Sequence, residues 1–455
     1  MRTRLLLAAA MSLAAAHAAP ALAQSKAFPA TLAGHAFVPA HRMIVPPHDA
    51  PQGFAVSGRF TGPGNTRVDA IGGLPQRTGL SLPFVGQPLQ GFSGIKPVGD
   101  GSYWVLTDNG FGSKRNSPDA LLFFSRVTPD WQGGGVTVHQ HVFLSDPNRV
   151  VPFRIENEHT RERYLTGADF DPESIQPVAD GFWIGEEFGP FLLHVDRQGR
   201  VTGVYPTLSG GRELRSPDHP ALQVGADPTQ PVPFQVPRSG GYEGMALSPD
   251  GQTLYGLLEK PLLDSAGKPE VADGRRFLRI LEFSVPRRAW TGREMKFALE
   301  DGATAIGDFN MIDARRALVI ERDDGEGDPS MLCAAGSKPS AENRCFENPA
   351  RFKRIVLVDL QALDAQGFVR KIGHVDLMAI RDPDNRARFK GEARRDLSGL
   401  FTFPFFTIEN VAAVDAEHII VANDNNLPFS IGRFVDRAAD NEFILLRVPE
   451  LLNAR

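Results

Sequence analysis

Two short apolar segments separated by a tight turn recur five times along the chain. Each copy starts with a polar residue, turns at or near an Asp-Gly pair, and reaches a carboxylate about 13 to 16 residues later. This pattern predicts a β-hairpin, which brings the first residue and the closing acid side by side. The copies begin at Ser93, Glu173, Glu243, Asp308 and Glu409.

The spacing of these copies indicates how the hairpins are arranged. Their starts lie 65 to 101 residues apart, whereas a minimal four-stranded propeller blade takes roughly 40 to 50 residues. We therefore predict an all-β β-propeller of about six blades, with seven as the alternative, and long loop insertions at 205–240, 322–350 and 381–400. Blades stacked around a channel would bring the hairpin ends to one mouth. The alternative fold is a β-sandwich whose hairpins merely share turn chemistry.

The composition agrees with a turn-rich β protein. Of 455 residues, 23% are charged and 42% are hydrophobic, and there are 45 glycines and 36 prolines. The 31 phenylalanines outnumber the 5 tyrosines and 4 tryptophans, which suits packed sheet faces better than base stacking. A net charge of -5 gives no general attraction for polyanions. We therefore expect no nucleic-acid partner, and the sequence leaves the oligomeric state open.

Residues 1–23 have the form of a secretory signal peptide. Arg2 and Arg4 precede an apolar run, and a small-x-small site ends at Ala23. The apolar run is shorter than the ~20 residues of a membrane span, which argues against a membrane anchor. We expect cleavage after Ala23, one domain over 24–455, no membrane span, and a periplasmic or secreted location.

Cys333 and Cys345 are the only two cysteines and lie in a polar segment. An exported chain meets an oxidising compartment, where such a pair can close. We therefore expect a local disulfide, the alternative being two unpaired thiols.

Convergence of the hairpin ends would make the channel mouth strongly acidic. Carboxylates crowded together repel one another unless a cation joins them, and oxygen ligands favour Ca²⁺ or Mg²⁺. Calcium is the cofactor expected for an exported protein. Asp and Asn also form turns, but Glu173, Glu243 and Glu409 begin apolar strands, where turn formation does not explain a glutamate. We predict these three as catalytic residues and leading metal ligands. Four more acids are expected to complete the shell: Asp108, Glu186, Glu259 and Asp424.

Basic and amide side chains accompany the acids. A cation and a guanidinium together suit a phosphate ester, because they share the charge that develops during attack by water. The predicted substrate contacts are Lys114, Lys260, Arg322, Arg433, Asn109 and Asn425. In the alternative interpretation, the basic groups only neutralise neighbouring acids.

Several strings in the hairpins resemble the phytase-like proteins described as "esterase-like activity of phytase". They are GFSGI (91–95), TDNG (107–110), DPESI (171–175), WIGEEFG (183–189), GYEGMA (241–246), ERD (321–323), TIENV (407–411) and NDNN (423–426). The resemblance covers about residues 55–450 and implies one propeller-like domain exported by bacteria. The family's name implies hydrolysis of phosphate or other esters. An acidic mouth with few clustered Lys and Arg argues against inositol hexaphosphate.

Together these features predict an exported, metal-dependent hydrolase of a small-molecule ester, with a phosphomonoester or phosphodiester as substrate. One alternative is a lactonase or carboxylic esterase on a calcium propeller. The other is a non-catalytic, calcium-stabilised binding propeller.

Overall fold

The computed structural model describes residues 25–59, 78–223, 227, 233–340, 342–389 and 399–455. The predicted signal peptide lies outside this part, as do portions of all three predicted insertions, at 224–226, 228–232, 341 and 390–398. Among the described residues, no helix has both the length and the apolar character that a membrane crossing requires.

Five antiparallel sheets form the blades of a β-propeller. Blade 1 contains Phe92–Pro97, Tyr103–Thr107, Phe123–Pro129 and Val136–Phe143. Blade 2 contains Pro172–Val178, Gly181–Glu186, Phe191–Val195 and Val201–Pro206. Blade 3 contains Tyr242–Leu247, Thr253–Leu258, Arg275–Ser284 and Ala289–Ala298. Blade 4 contains Ala305–Met311, Arg316–Arg322, Lys353–Leu363 and Val369–Asp376. Blade 5 contains Thr407–Ala413, His418–Asp424 and Asn441–Arg447.

The N-terminal segment completes the ring. Thr31–Val38 pairs antiparallel with Asn441–Arg447 as the fourth strand of blade 5, and Lys26–Phe28 pairs in parallel with the outer strand of blade 4. Shorter strands lie at Met43–Ile44, Val56–Ser57, Phe84–Val85, Gln87–Pro88, Leu208–Ser209, Arg212–Glu213, Val271–Ala272, Ile380–Arg381 and Leu400–Phe401. The described helical segments are Gln52–Ala55, Pro329–Met331 and Pro449–Leu452.

The prediction of a propeller is confirmed, but the predicted blade number was too high. Each of the five sequence copies forms one blade, and the innermost strands contact one another in a closed ring. The residues in excess of a minimal blade lie in loops and in the closing strand of blade 5, not in a sixth sheet.

The hairpin turns form as the sequence indicates. In four of the five, an aspartate side chain at the turn accepts a backbone N–H from a residue two positions later, which fixes the reversal. These aspartates are Asp100, Asp250, Asp313 and Asp415. The fifth turn, in blade 2, uses Gly181 with a φ of 155°.

The apolar core is divided among the five gaps between blades. Each gap holds a separate cluster of buried side chains drawn from two neighbouring sheets. Between blades 1 and 2, for example, Phe124 packs 4.5 Å from Phe182, measured between ring centroids. The inner strands are covered on both faces, and Gly181–Glu186, for example, is buried along its whole length, as in other buried sheets.

The long connections all emerge on one face. Tight hairpin turns join the first and second strands at one end of each blade, so the loops after the second and fourth strands lie at the other end. That end carries the connections 108–122, 144–171, 207–241, 323–352 and 377–406. The predicted disulfide between Cys333 and Cys345 is present in one of them.

A buried carboxylate, Glu442, is hydrogen-bonded to the closing strand and ion-paired within blade 5. His35 Nδ1 accepts the backbone N–H of Arg388 at 2.8 Å, so the ring proton is on Nε2, which donates to Glu442 Oε2 at 2.9 Å. Arg433 donates to the same carboxylate from Nε and Nη2, at 2.8 to 3.0 Å. Burial opposes ionisation of Glu442, but Arg433 and His35 lower its pKa to about 2.

We expect Glu442→Gln to lower the free energy of unfolding at pH 7. The native pKa lies below the ordinary value of 4.5, so the ionised carboxylate stabilises the fold above pH 4.5, and this contribution is lost as the pH falls towards 2. The shift corresponds to about 3 kcal/mol. Denaturant unfolding at several pH values should show the gap between wild type and variant narrowing by about this amount from pH 5 to pH 2.

Glu417→Gln is the matched control in the same blade. Glu417 pairs with Arg447 at 3.0 Å, but both side chains are half exposed, so its loss should cost at most about 1 kcal/mol. Equal effects of the two substitutions would contradict a stabilising role for the buried pair.

Candidate functional site

A β-bulge opens every blade at the mouth of the channel. The pairing of the first two strands skips one or two residues near the start of each innermost strand. A bulge turns side chains away from the regular alternation, and bulges are common beside active sites. The skipped residues include Glu173, Glu243 and Glu409, together with Ser93 and Asp308.

The three bulge glutamates converge. One carboxylate oxygen from each of Glu173, Glu243 and Glu409 lies within 4.8 Å of the others, and we call this set the central triad. A second set, the lateral triad, shares Glu173 and adds Asp171 and Glu187 at the same spacing. All five side chains are buried. The mouth therefore holds two overlapping sets of three carboxylates, each close enough together to contact one small cation.

Arg322 is the principal positive charge beside the central triad. Its Nη2 lies 3.2 Å from Glu259 Oε1, 3.3 Å from Glu409 Oε1 and 3.8 Å from Glu243 Oε1. Because the guanidinium is buried among acids, its pKa is raised despite the cost of burial. Lys260 lies further out, with Nζ 3.0 Å from Glu259 Oε2 and a side chain that is 36% exposed.

Neutral donors and two further acids complete the mouth. Ser93 Oγ donates to Glu409 Oε2 at 2.9 Å. Asp424 accepts from Thr407 Oγ1 at 3.2 Å and from the backbone N–H of Asn426 at 2.6 Å. Asp108 is half-buried and accepts the N–H of Gly110 at 2.8 Å.

Burial and mutual repulsion raise the pKa of most of these acids. Burial is the largest cause for Glu173, Glu243 and Glu187, and the neighbouring carboxylates add to it. The same causes raise the pKa of Asp108 and Asp424, and burial raises that of Asp171 to about 6. Full ionisation of the cluster is therefore unfavourable without added positive charge.

Three buried carboxylate oxygens at the mouth accept no hydrogen bond from the described residues, and one of them, Glu259 Oε2, is paired with Lys260 instead. The other two are Glu187 Oε1 and Glu243 Oε1. A buried oxygen atom of this kind loses its hydrogen bonds to water and gains none from the protein, which is unfavourable. One of these two belongs to each triad, and both could be satisfied by a cation.

Three residues predicted for the site use their polar side-chain atoms elsewhere. Glu186 accepts the backbone N–H groups of Phe188, Gly189 and Phe191 at 2.7 to 2.8 Å, so it holds the turn that follows its strand. Asn109 Oδ1 accepts the N–H of Phe111 at 3.1 Å. Asn425 is bound through both ends of its amide, to Gly91 N and Ala439 O.

The remaining predicted cations lie away from the triads. Arg433 is paired with Glu442 and lies over the rings of Phe389, Phe401 and Phe405. Lys114 lies in the loop after the second strand of blade 1, with Nζ 3.4 Å from the carbonyl oxygen of Asp218. Lys114 thus belongs to the rim and Arg433 to the side of blade 5.

A polar layer lies beneath the acids, further along the innermost strands. Lys96 Nζ and Gln176 Nε2 both donate to Asn310 Oδ1, at 2.9 and 2.8 Å. Asp308 accepts the N–H groups of Phe309 and Val411 at 2.7 and 2.9 Å, so it joins blades 4 and 5.

Asp171 and Glu187 are the site residues that the sequence prediction did not select. Asp171 precedes the innermost strand of blade 2 and accepts the N–H of Asn109 at 3.2 Å. In the pair Glu186–Glu187 the prediction favoured the first residue, whereas the second joins the triad. The doubled acid was a signal, but which of the two faces the channel depends on where the strand ends.

Solved structures similar to this chain include two enzymes. A GH43 β-1,3-galactosidase determined with galactodeoxynojirimycin gives a TM-score of 0.36 at 10% identity, over 86% of this chain and 94% of that one. A periplasmic gluconolactonase of Pseudomonas aeruginosa gives 0.25 at 15% identity, over 78% and 88%. At these TM-scores, neither neighbour bears on the function.

Comparison of sequences identifies the family of this chain. An uncharacterized secreted protein of Arthroderma benhamiae is 29% identical over 124 residues, which is 25% of this chain. The match spans about a quarter (24%) of that relative's length. The family model for phytase-like proteins, described as "esterase-like activity of phytase", matches residues 87–427, which include all five innermost strands. The chain therefore belongs to this phytase-like family.

Proposed function

We propose that this protein is an exported, calcium-dependent hydrolase of small phosphate esters, with its reaction centre at the central triad. The observation that carries the proposal is the convergence of Glu173, Glu243 and Glu409 on bulges beside Arg322. Membership of a family named for esterase-like activity supports ester hydrolysis. The secreted relative supports export, and the signal-like residues 1–23 agree with it.

The donor set suits a hard divalent cation. Every member of the central triad offers carboxylate oxygen, the ligand type that calcium and magnesium prefer. Glu243 Oε1 lacks a hydrogen bond, as expected of an atom built to bind something else. When bound, the cation would polarise the ester and make an attacking water more acidic.

The chain's own residues would orient and bind the substrate. Ser93 fixes the direction of the Glu409 carboxylate through its hydrogen bond. Arg322 shares the oxygens of Glu243 and Glu409 that would hold the cation. Cation binding would compete for those oxygens and free the guanidinium to contact an anionic substrate. Lys260 and Lys114, on the rim, would contact the outer part of a charged substrate.

A lactone or carboxylic ester is the second candidate substrate. The observation in its favour is the scarcity of free positive charge, since Arg322 and Lys260 are both paired with acids and Arg433 is engaged elsewhere. A neutral ester would need only the cation and a positioned water.

Glu243→Gln tests the cation site. Because the pKa of Glu243 is raised by burial and by its acidic neighbours, removing its charge should raise the melting temperature in chelator by a few degrees. The rise in melting temperature on adding calcium should shrink, and turnover should fall by at least about a hundredfold. Differential scanning calorimetry and initial rates measure both effects.

Glu282→Gln is the control for this substitution. Glu282 lies in the same blade, paired with Arg293 at 2.9 Å and opposite Tyr255, far along the strand from the mouth. It should leave the calcium response and the turnover unchanged. If Glu243→Gln also left both unchanged, the proposed cation site would be wrong.

Arg322→Gln distinguishes the two substrate classes. Losing the guanidinium should lower kcat/KM for a phosphomonoester or phosphodiester by about a hundredfold or more, and for a lactone or carboxylic ester by much less. A panel of these esters is measured with calcium and with chelator, with Arg322→Lys as the variant that keeps the charge. Turnover of lactones alone would reject the phosphate ester, and an absence of calcium-dependent turnover with every ester would favour the binding propeller.

A further inference from the structure

We infer that the mouth binds two cations, and that the lateral triad of Asp171, Glu173 and Glu187 is the second site. The inference rests on the proposed function and deepens it, because it adds a second metal ion and makes Glu173 the bridging ligand. It is carried by the contacts of the lateral triad itself.

The lateral triad repeats the features of the central one. Its three ligand oxygens also lie within 4.8 Å of one another. Glu187 is only 5% exposed, and its Oε1 has no hydrogen-bond partner among the described residues. Each triad thus contains one buried carboxylate oxygen that accepts no hydrogen bond, and only the one in the central triad lies within ion-pair distance of a basic side chain. A single cation at the central triad would leave the oxygen of Glu187 without a hydrogen bond.

The two triads differ in whether a basic side chain lies beside their carboxylates. Arg322 lies within ion-pair distance of Glu243 and Glu409. In the described part of the chain, no Lys, Arg or His lies within 4.0 Å of a carboxylate of Asp171, Glu173 or Glu187; the nearby Lys260 pairs with Glu259. The lateral triad therefore has the greater need of a cation, and should bind it more tightly than the central triad.

Glu173, the residue common to both triads, would hold the two cations close together. Glu173 offers two carboxylate oxygens, so it can bridge neighbouring cations. A bridged pair would provide charge for two oxygens of one anionic group, which would suit a phosphate ester better than the single carbonyl oxygen of a lactone. The second cation would thus supply the positive charge that the basic side chains of the mouth do not.

Calcium stoichiometry tests the inference without relying on activity. Isothermal titration of the chelator-treated chain with Ca²⁺ should give two ions per chain in two affinity classes. Glu187→Gln should weaken the tighter class by on the order of a hundredfold, because ligand charge sets calcium affinity, and leave one ion per chain. Glu243→Gln should weaken the other class, Glu173→Gln should weaken both, and Glu282→Gln should still bind two.

The outcomes separate the second site from the proposed function. One calcium per wild-type chain, or two in Glu187→Gln, would overturn the inference. If circular dichroism shows that Glu187→Gln does not fold, Asp171→Asn replaces it, since its amide oxygen can still accept the N–H of Asn109. Two calcium ions without turnover of any ester would reject the hydrolase and support the second site. One calcium with calcium-dependent turnover would reject the second site alone.

Discussion

Repulsion among buried carboxylates is the constraint to which the rest of the structure responds. Glu173, Glu243 and Glu409 are held together although burial and mutual charge oppose their ionisation. Such an arrangement persists only if the surrounding fold is stable enough to impose it. Here that stability comes from five apolar clusters, one in each gap between blades. Arg322 reduces the repulsion on one side only, at Glu243 and Glu409.

The closeness of the innermost strands makes the acids converge. A Cβ on Gly307 would lie 1.9 Å from the carbonyl oxygen of Ile408, and one on Gly94 would lie 3.2 Å from Ser174 Cα. Gly94 also has a φ of 119°, which disfavours other residues. Five blades around so narrow a channel leave room for carboxylates at its mouth and for the polar layer beneath them.

Much of this architecture could be predicted from the sequence, because hairpin periodicity and turn chemistry are local properties. They located Glu173, Glu243 and Glu409 correctly at the starts of innermost strands. Blade number was overestimated because chain length cannot distinguish a loop from a strand. Whether Glu186 or Glu187 faces the channel depends on the exact residue at which the strand ends. The position of Arg433 depends on its long-range pairing with Glu442. Neither leaves a local signal.

The two lysines at the rim of the mouth, Lys114 and Lys260, are held in place by a loop, whereas the acids are held by strands. The triads stand on innermost strands or directly beside them, but both rim lysines are held by one mouth loop, the 207–241 connection. Lys114 donates to the carbonyl of Asp218, and Lys260 donates to that of Arg238. Loops tolerate changes in length and sequence that packed strands do not. Changes in this connection would therefore move the lysines without disturbing the carboxylates of the two triads. In the proposed hydrolase, the rim could then accommodate different substrates while the carboxylates at the channel stay in place.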